Sequence, residues 1–448
     1  MFLFCIRGFM EDNKKLKYKK EYKFMLIYFL TFIVIYLITG FVFNDFKRYL
    51  FLTYGSILFY IARLIIIMPF SLKERSKKNI IIRYIIWLLL LIIPVIIMRY
   101  HMVNNNYFPL INIELDENVT SENIISINEE SDGKFVLKVK DNFKILQVTD
   151  LHIGASEESY DLDLKAGETI RNLIYKSKPD LIVITGDLIY PIEAQSFSDN
   201  NNTMFLGVFD FFERFGIPWT FTLGNHDFEI TNDGGYGKVT PKELIKYSAN
   251  EYKNLLISEK FPDIYGRYNN IIEIRNEDDS LNQVLYLIDS NSYKTDNLND
   301  YDYIHSDQID WYENSIKEYN EKENKIVSSM MFFHIPLQEF QDAYNALISL
   351  SPDAELLFGE HREKTCSSNT SSGLFEKVLE LGSTKAIFCG HDHFNDIGIK
   401  YKGIDLVYGK SIDYLAYPGI DKKTEQRGGT LITLNSDSTY TINQIEDK

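Results

Sequence analysis

The hydrophobic pattern of the chain changes character twice. Tyr22–Phe43 is apolar with Lys23 as its only charge, Ile80–Met98 is apolar apart from Arg83 near one end, and Tyr49–Phe70 resembles them but carries Arg63 well inside. A helix rising about 1.5 Å per residue needs roughly 20 apolar residues to cross a ~30 Å hydrocarbon core. The pattern therefore predicts a membrane anchor over residues 1–102, with transmembrane helices 22–43, 49–70 and 80–98. Arg83 sits where a long side chain snorkels to the interface. Arg63 leaves the middle segment open: it faces another helix, or the segment lies in the interface and the chain crosses twice. A cleaved signal peptide competes for the first run, but no small-residue cleavage site is present and two further apolar runs follow.

From Val103 to Gly133, Asn, Glu, Ser and Asp dominate without a sustained period, which predicts a polar linker, with a catalytic domain over 134–448. In that domain Lys134–Lys140 and Phe143–Thr149 alternate around Asp141-Asn142, a hairpin signature. Helical spacing over Leu162–Lys176 is followed by the apolar strand Asp180–Thr185, a helix around Met204–Phe215 and the strand Pro218–Leu223. Strand-like runs recur at Asn270–Ile274, Gln283–Ile288, Ile326–Phe333, Lys385–Cys389 and Thr430–Leu434, with helices near Gln308–Tyr319 and Gly373–Leu381. Strands and helices interleaved in this way predict a layered α/β domain built on two sheets.

Charge sharpens the division. Up to Met102 there are sixteen Lys and Arg against five Asp and Glu, and the remainder carries 31 against 58. So acidic a domain is a poor polyanion binder, and no nucleic-acid partner is expected. The basic clusters Lys14–Lys23 and Lys73–Lys78 belong in the cytoplasm by the positive-inside rule, so three spans carry residues after Met102 to the extracytoplasmic side. The three cysteines, Cys5, Cys366 and Cys389, form no disulfide framework and no CxxC pair.

Five short motifs follow the ends of predicted strands, where open α/β sheets place their sites. They are Asp150-Leu151-His152, Gly186-Asp187, Gly224-Asn225-His226-Asp227, His334 and Gly390-His391-Asp392-His393. All offer oxygen or imidazole ligands, suited to Mn, Fe or Zn ions and unlike a thiolate cage. Two metals about 3.5–4 Å apart need a bridging carboxylate, for which Asp187 is the natural candidate. Glycines 186, 224 and 390 permit close backbone approach.

The ordered set DxH, GD, GNH(D/E), H and GHxH resembles the calcineurin-like metallophosphoesterase superfamily, over approximately Lys144 to Leu434. Gln308-Ile309-Asp310-Trp311, FHIPLQEF from Phe333, GHDHFND from Gly390, and Gly409 through Arg427-Gly428-Gly429 are similar to its purple-acid-phosphatase-like branch. The resemblance implies a four-layer α/β/β/α sandwich. It implies two metals of divalent or trivalent charge, one on Asp150, His152, Asp187 and His393, the other on Asp187, Asn225, His334 and His391. The implied chemistry is attack on phosphorus by a metal-bound hydroxide, with His226 stabilising or protonating the leaving oxygen. His152 stands where the purple enzymes carry a non-ligating residue, so Tyr190 reads as a cleft wall rather than a ligand.

Asp227 and Asp392 either orient an imidazole or cap a turn, and His305 and His361 read as surface or rim residues. His101 belongs to the membrane edge, and Asp233-Gly234-Gly235-Tyr236-Gly237-Lys238 is a weak phosphate-loop signal. The function expected is metal-dependent phosphomonoesterase action on a phosphorylated small molecule, lipid or protein. A phosphodiesterase or pyrophosphohydrolase acting on a lipid or cell-envelope substrate is the alternative, and a catalytically silent surface receptor is the non-enzyme reading.

Overall fold

The computed structural model describes residues 108–115, 121–191, 201–229, 239–295, 297, 300–417, 419–420 and 427–447. The three expected membrane helices and the Asp233–Lys238 loop lie outside the described residues. The anchor thus has no support from them, and among the described residues no helix is long and apolar enough to cross a membrane.

Residues 103–133 are not simply a tether. Pro109–Asn112 forms a 3-10 turn, and Leu110 and Ile113 are buried in the domain core. Arg214 holds this segment by donating to the Leu110 carbonyl at 3.0 Å and the Ile113 carbonyl at 2.7 Å. Strand β1 (Ile124–Glu129) then pairs antiparallel with β2 (Phe135–Val139). Its polarity concealed it, because an edge strand needs backbone partners more than apolar side chains.

The expected hairpin of β2 and β3 (Phe143–Val148) does not form. β2 belongs to one sheet and β3 to the other, so the turn at Asp141-Asn142 passes the chain between sheets. Both strands alternate because both carry apolar faces, a pattern that cannot say which neighbour each strand pairs with. The chain continues through α1 (Tyr160–Ser177), β4 (Leu181–Thr185), α2 (Asn201–Glu213), β5 (Trp219–Thr222) and α3 (Pro241–Glu251). There follow β6 (Asn270–Arg275), β7 (Leu281–Leu287), α4 (Ser306–Glu323), β8 (Ser329–Phe332), α5 (Gln338–Ile348) and β9 (Ala354–Phe358). The last described elements are α6 (Leu374–Leu381), β10 (Thr384–Cys389), β11 (Gly398–Tyr401), β12 (Ile404–Tyr408), β13 (Gly428–Leu434) and β14 (Tyr440–Glu446).

The strand orders are β1-β2-β6-β7-β8-β10-β12-β11-β9 and β14-β13-β3-β4-β5. Three apolar clusters make this a four-layer α/β/β/α arrangement. Phe143, Ile145, Leu181 and Val183 of the smaller sheet meet Ile272, Leu285, Met330 and Phe388 of the larger between the sheets. On the alternate positions, Leu146, Val148, Ile182 and Ile184 pack under Ile170, Leu173, Phe205 and Phe209 of α1 and α2. The outer face of the larger sheet, with Val284, Tyr286, Met331 and Ile387, is covered by Ile309, Tyr312, Phe340 and Phe375 from α4, α5 and α6. Strands β3 and β4 are buried on both faces, which is why they read as near-continuous apolar runs.

The pairs β3–β4, β4–β5, β7–β8, β8–β10 and β10–β12 are parallel. Their C-terminal ends release the loops that begin at Asp150, Asp187, Asn225, His334 and His391.

Candidate metal centre

The loops after β3, β4 and β10 bring Asp150, His152, Asp187 and His393 together, with one ligand atom of each within 4.8 Å of the others. Asp187, His334 and His391 form a second such group. Asn225 completes it, its Oδ1 lying 3.2 Å from Nε2 of His334. Asp187 is common to both: its Oδ2 is 3.2 Å from Nε2 of His152 and 3.1 Å from Nε2 of His334. The backbone N–H of His226 donates to its Oδ1 at 2.9 Å, fixing the carboxylate.

The backbone is strained to achieve this. Asp150, His152, Asp187 and His391 have φ of 54°, 50°, 51° and 77°, a left-handed conformation costing a non-glycine residue roughly 1–2 kcal/mol. Strain concentrated on four of the seven ligand candidates points to function, not folding, as its cause. The motif glycines are dictated by contact. A Cβ on Gly224 would lie 2.1 Å from Oδ1 of Asp187, one on Gly186 2.6 Å from the His334 ring, and one on Gly390 1.9 Å from Thr149 Oγ1.

The donor set fits metal ions. Nδ1 of His334 is 2.8 Å from the Thr185 carbonyl and so carries a hydrogen. Its Nε2 faces Asp187 at 3.1 Å, Asn225 at 3.2 Å and Nδ1 of His391 at 3.3 Å. One N–H cannot serve three acceptors, whereas a cation at their centre satisfies all of them. Ligand bonds of ~2.0–2.2 Å place ligand atoms up to ~4.4 Å apart, matching this spacing.

Without metal the electrostatics are correspondingly tense. Burial opposes charge on His152, but the carboxylates of Asp413, Asp187 and Asp150 outweigh it and raise its pKa to about 9. His334 is likewise opposed by burial and raised to about 9, chiefly by Asp187. Burial and the neighbouring His334 hold His391 well below the usual histidine range. Asp187 resists its own burial and stays well below the usual carboxylate range, because His334 and His226 favour its charge.

His226 stands at the edge of the centre, its Nε2 4.0 Å from Oδ2 of Asp187 and its side chain 17% exposed. Its Nδ1 pairs with Glu229 at 2.5 Å. Asp227 and Asp392 hold backbone, not imidazole. Asp227 accepts from Gly224 N at 2.7 Å and Ile189 N at 3.1 Å. Asp392 takes the Cys366 N–H and the Tyr408 hydroxyl, the latter at 2.7 Å. Tyr190 is a buried wall, its ring edge-on to His152 at 5.0 Å. His305 is sandwiched between Tyr265 and Tyr303 and bonded to Asp302, and His361 stacks on Tyr344, so neither joins the centre.

The sequence reading missed Asp413, whose Oδ2 lies 2.8 Å from Nδ1 of His393. It lies in the Gly409–Gly429 stretch without a ligand-type motif of its own, and the pairing of β12 with β10 together with the parallel bridge of Thr149 with Ser411 brings its loop to the site. Glu229 was also missed, although a carboxylate three residues after His226 was a readable signal. Tyr293, whose phenol oxygen takes the Asn225 amide at 3.1 Å, could be placed only by the fold.

Residues 143–395 match the calcineurin-like phosphoesterase family. The chain is 33% identical over 309 residues to "Probable inactive purple acid phosphatase 14" of Arabidopsis thaliana, covering 61% of this chain and 71% of that protein. Identity is 32% over 316 residues to "Probable inactive purple acid phosphatase 29" of the same plant, covering 63% and 75%. It is 29% over 292 residues to "Phosphatase DCR2" of Saccharomyces cerevisiae, covering 60% of this chain and 46% of that protein.

Proposed function

Because the chain belongs to the calcineurin-like phosphoesterase family, we propose that it hydrolyses phosphate esters at a dinuclear metal centre, with phosphomonoesters as the preferred substrates. The observation that carries this is the shared carboxylate: Oδ2 of Asp187 faces His152 of one ligand set and His334 of the other at 3.2 and 3.1 Å. Asp150, His152 and His393 would hold one ion, Asn225, His334 and His391 the second, with Asp187 between them. A metal pair, when bound, supplies Lewis-acid polarisation of phosphoryl oxygens and a water of lowered pKa.

The chain's own residues do the rest. Asp187 is locked by the His226 N–H, so the two ligand sets keep a fixed separation. Glu229 holds Nδ1 of His226 and leaves Nε2 directed at the centre. From there a protonated His226 can give its Nε2 proton to the departing oxygen, as a positioned general acid.

A silent protein is the second reading, favoured by the word "inactive" in the names of two relatives. The presence of every ligand candidate together with His226 supports activity. Assay of the purified chain against chromogenic mono- and diesters with Mn, Fe, Zn and Mg decides: turnover abolished in Asp187→Asn supports the proposal, and no turnover with any metal sinks it. Faster diester than monoester hydrolysis would replace the monoester reading with the diesterase one.

We place this activity on the outer face of a membrane, on the strength of the basic clusters and three apolar runs before Met102. Protease added to intact cells should remove the catalytic domain, and full protection until lysis would put it in the cytoplasm.

A further inference from the structure

The centre is ringed by tyrosines. Tyr190 stands edge-on to His226 as well as His152, with centroids 4.9 Å apart. Tyr301 is edge-on to His391 at 4.6 Å and stacks on Tyr293 at 5.3 Å. Tyr417 is edge-on to His393 at 4.8 Å while remaining 46% exposed. Aromatic faces thus rise from three sides of the ligand cluster, contributed by the loops after β4, β7 and β12.

Among the described residues, cations are missing from the same ring. Arg267, behind the Gly224 turn, is committed to Asp289 and to the carbonyls of Gly224 and Asn291. Lys294 bonds Asp300 and Thr370, and Lys410 bridges Asp396 and Glu446. Among the described residues no lysine or arginine makes a hydrogen bond or ion pair with a ligand side chain or with His226. The charged groups that do reach His226 are carboxylates, Asp187 of the ligand cluster and Glu229 outside it.

We infer that the site selects phosphate monoesters whose leaving alcohol is aromatic and bears no second anionic group. This rests on the phosphomonoesterase reading above. A single phosphoryl dianion is matched by the two metal charges, but a further phosphate or carboxylate on the leaving group meets Glu229 with no cation among the described residues to offset it. A flat leaving group gains ring contact with Tyr417 and Tyr301, an effect that typically amounts to ~3–10-fold in affinity.

The test uses the full-length chain loaded with metal and two readouts. Calorimetric binding of phenylphosphonate, methylphosphonate and 4-carboxyphenylphosphonate measures selectivity without chemistry. Initial rates with phenyl phosphate and 4-carboxyphenyl phosphate measure it in turnover. Phenylphosphonate should bind ~3–10-fold more tightly than methylphosphonate, and the carboxylated ligand and ester should each fall at least ~10-fold below their phenyl counterparts. Tyr417→Ala, at an exposed position, should erase the aryl preference and leave methylphosphonate binding unchanged. Equal affinities and rates across the series would overturn the inference, as would an equal loss for both neutral ligands in Tyr417→Ala. Selective binding without any turnover would support it while sinking the hydrolase reading, and turnover without selectivity would do the reverse.

Discussion

Asp413 and His393 are joined at 2.8 Å through Oδ2 and Nδ1, and the other oxygen of Asp413 lies 3.6 Å from Nδ1 of His152. One carboxylate therefore backs two imidazoles from motifs more than two hundred residues apart. Burial works against its charge, yet His152 and His393 hold Asp413 well below the usual carboxylate range. Partners of this kind fix the ring orientation of a ligand histidine and commonly account for ~10–100-fold in metal affinity. Asp413→Ala is expected to weaken metal retention by about that factor, read by competition with a chelator. Unchanged affinity would reduce Asp413 to a turn residue, since it also accepts from Leu415 N and Ala416 N.

Asp187→Asn and His391→Ala are each expected to lose metal and activity together. Elemental analysis is the direct measure. Two equivalents of metal retained by Asp187→Asn would contradict the shared-carboxylate assignment.

His226→Ala is expected to retain metal and lose roughly 10²–10⁴-fold in kcat. The loss should shrink for esters with acidic leaving alcohols, which need little proton assistance. Glu229→Gln keeps a partner for Nδ1 and should fall between His226→Ala and the unaltered chain. An equal loss for good and poor leaving groups would remove His226 from the departing oxygen.

The gathering of the ligand candidates was legible because each sits in a short contiguous motif at a strand end, so local sequence carries both the donor chemistry and its place. The layered architecture was legible for a related reason: β3 and β4 are buried on both faces and cannot hide. Pairing was not legible. β2 and β3 look like a hairpin because alternation reports burial of one face, and the partner strand is chosen by the whole fold. β1 and the 3-10 turn at Pro109 were lost to polarity, and β11, β12 and β14 to shortness or mixed pattern. Asp413 and Tyr417 lie in the Gly409–Gly429 stretch that carried the resemblance, but no ligand-type motif there marks either residue, and Tyr301 reaches the centre through topology alone.

Gly224 supplies a test that separates geometry from chemistry, since it carries no functional group. A Cβ there would sit 2.1 Å from Oδ1 and 2.4 Å from N of Asp187. Gly224→Ala is therefore expected to push the shared carboxylate aside and lose metal nearly as completely as Asp187→Asn, with a far smaller change in the thermal unfolding of the metal-free protein. Full metal occupancy in Gly224→Ala would show that the loop can retreat.

The stability of the metal-free centre and its affinity for metal should respond to pH with opposite sign. In the metal-free centre the carboxylates around His152 and His334 overcome burial and raise both to about 9, against an ordinary value of 6.5. Between those values the folded chain holds protons that the unfolded chain has released. Stability from this source is therefore complete below ~6.5 and is lost as pH climbs towards 9. His391, held well below its usual range, has the opposite sign, but its contribution is already constant above ~6.5. Metal needs Nε2 of His152 and His334 as lone pairs, so each ion that binds displaces protons and binds more tightly as pH rises through the same window. Chelated protein should show a falling Tm from pH 6.5 to 9, while the gap between chelated and metal-saturated Tm widens. Taking the gap cancels every titration common to both samples and leaves the centre alone. A gap independent of pH would mean that His152 and His334 are neutral before metal arrives, and that Asp187 does not hold their protons.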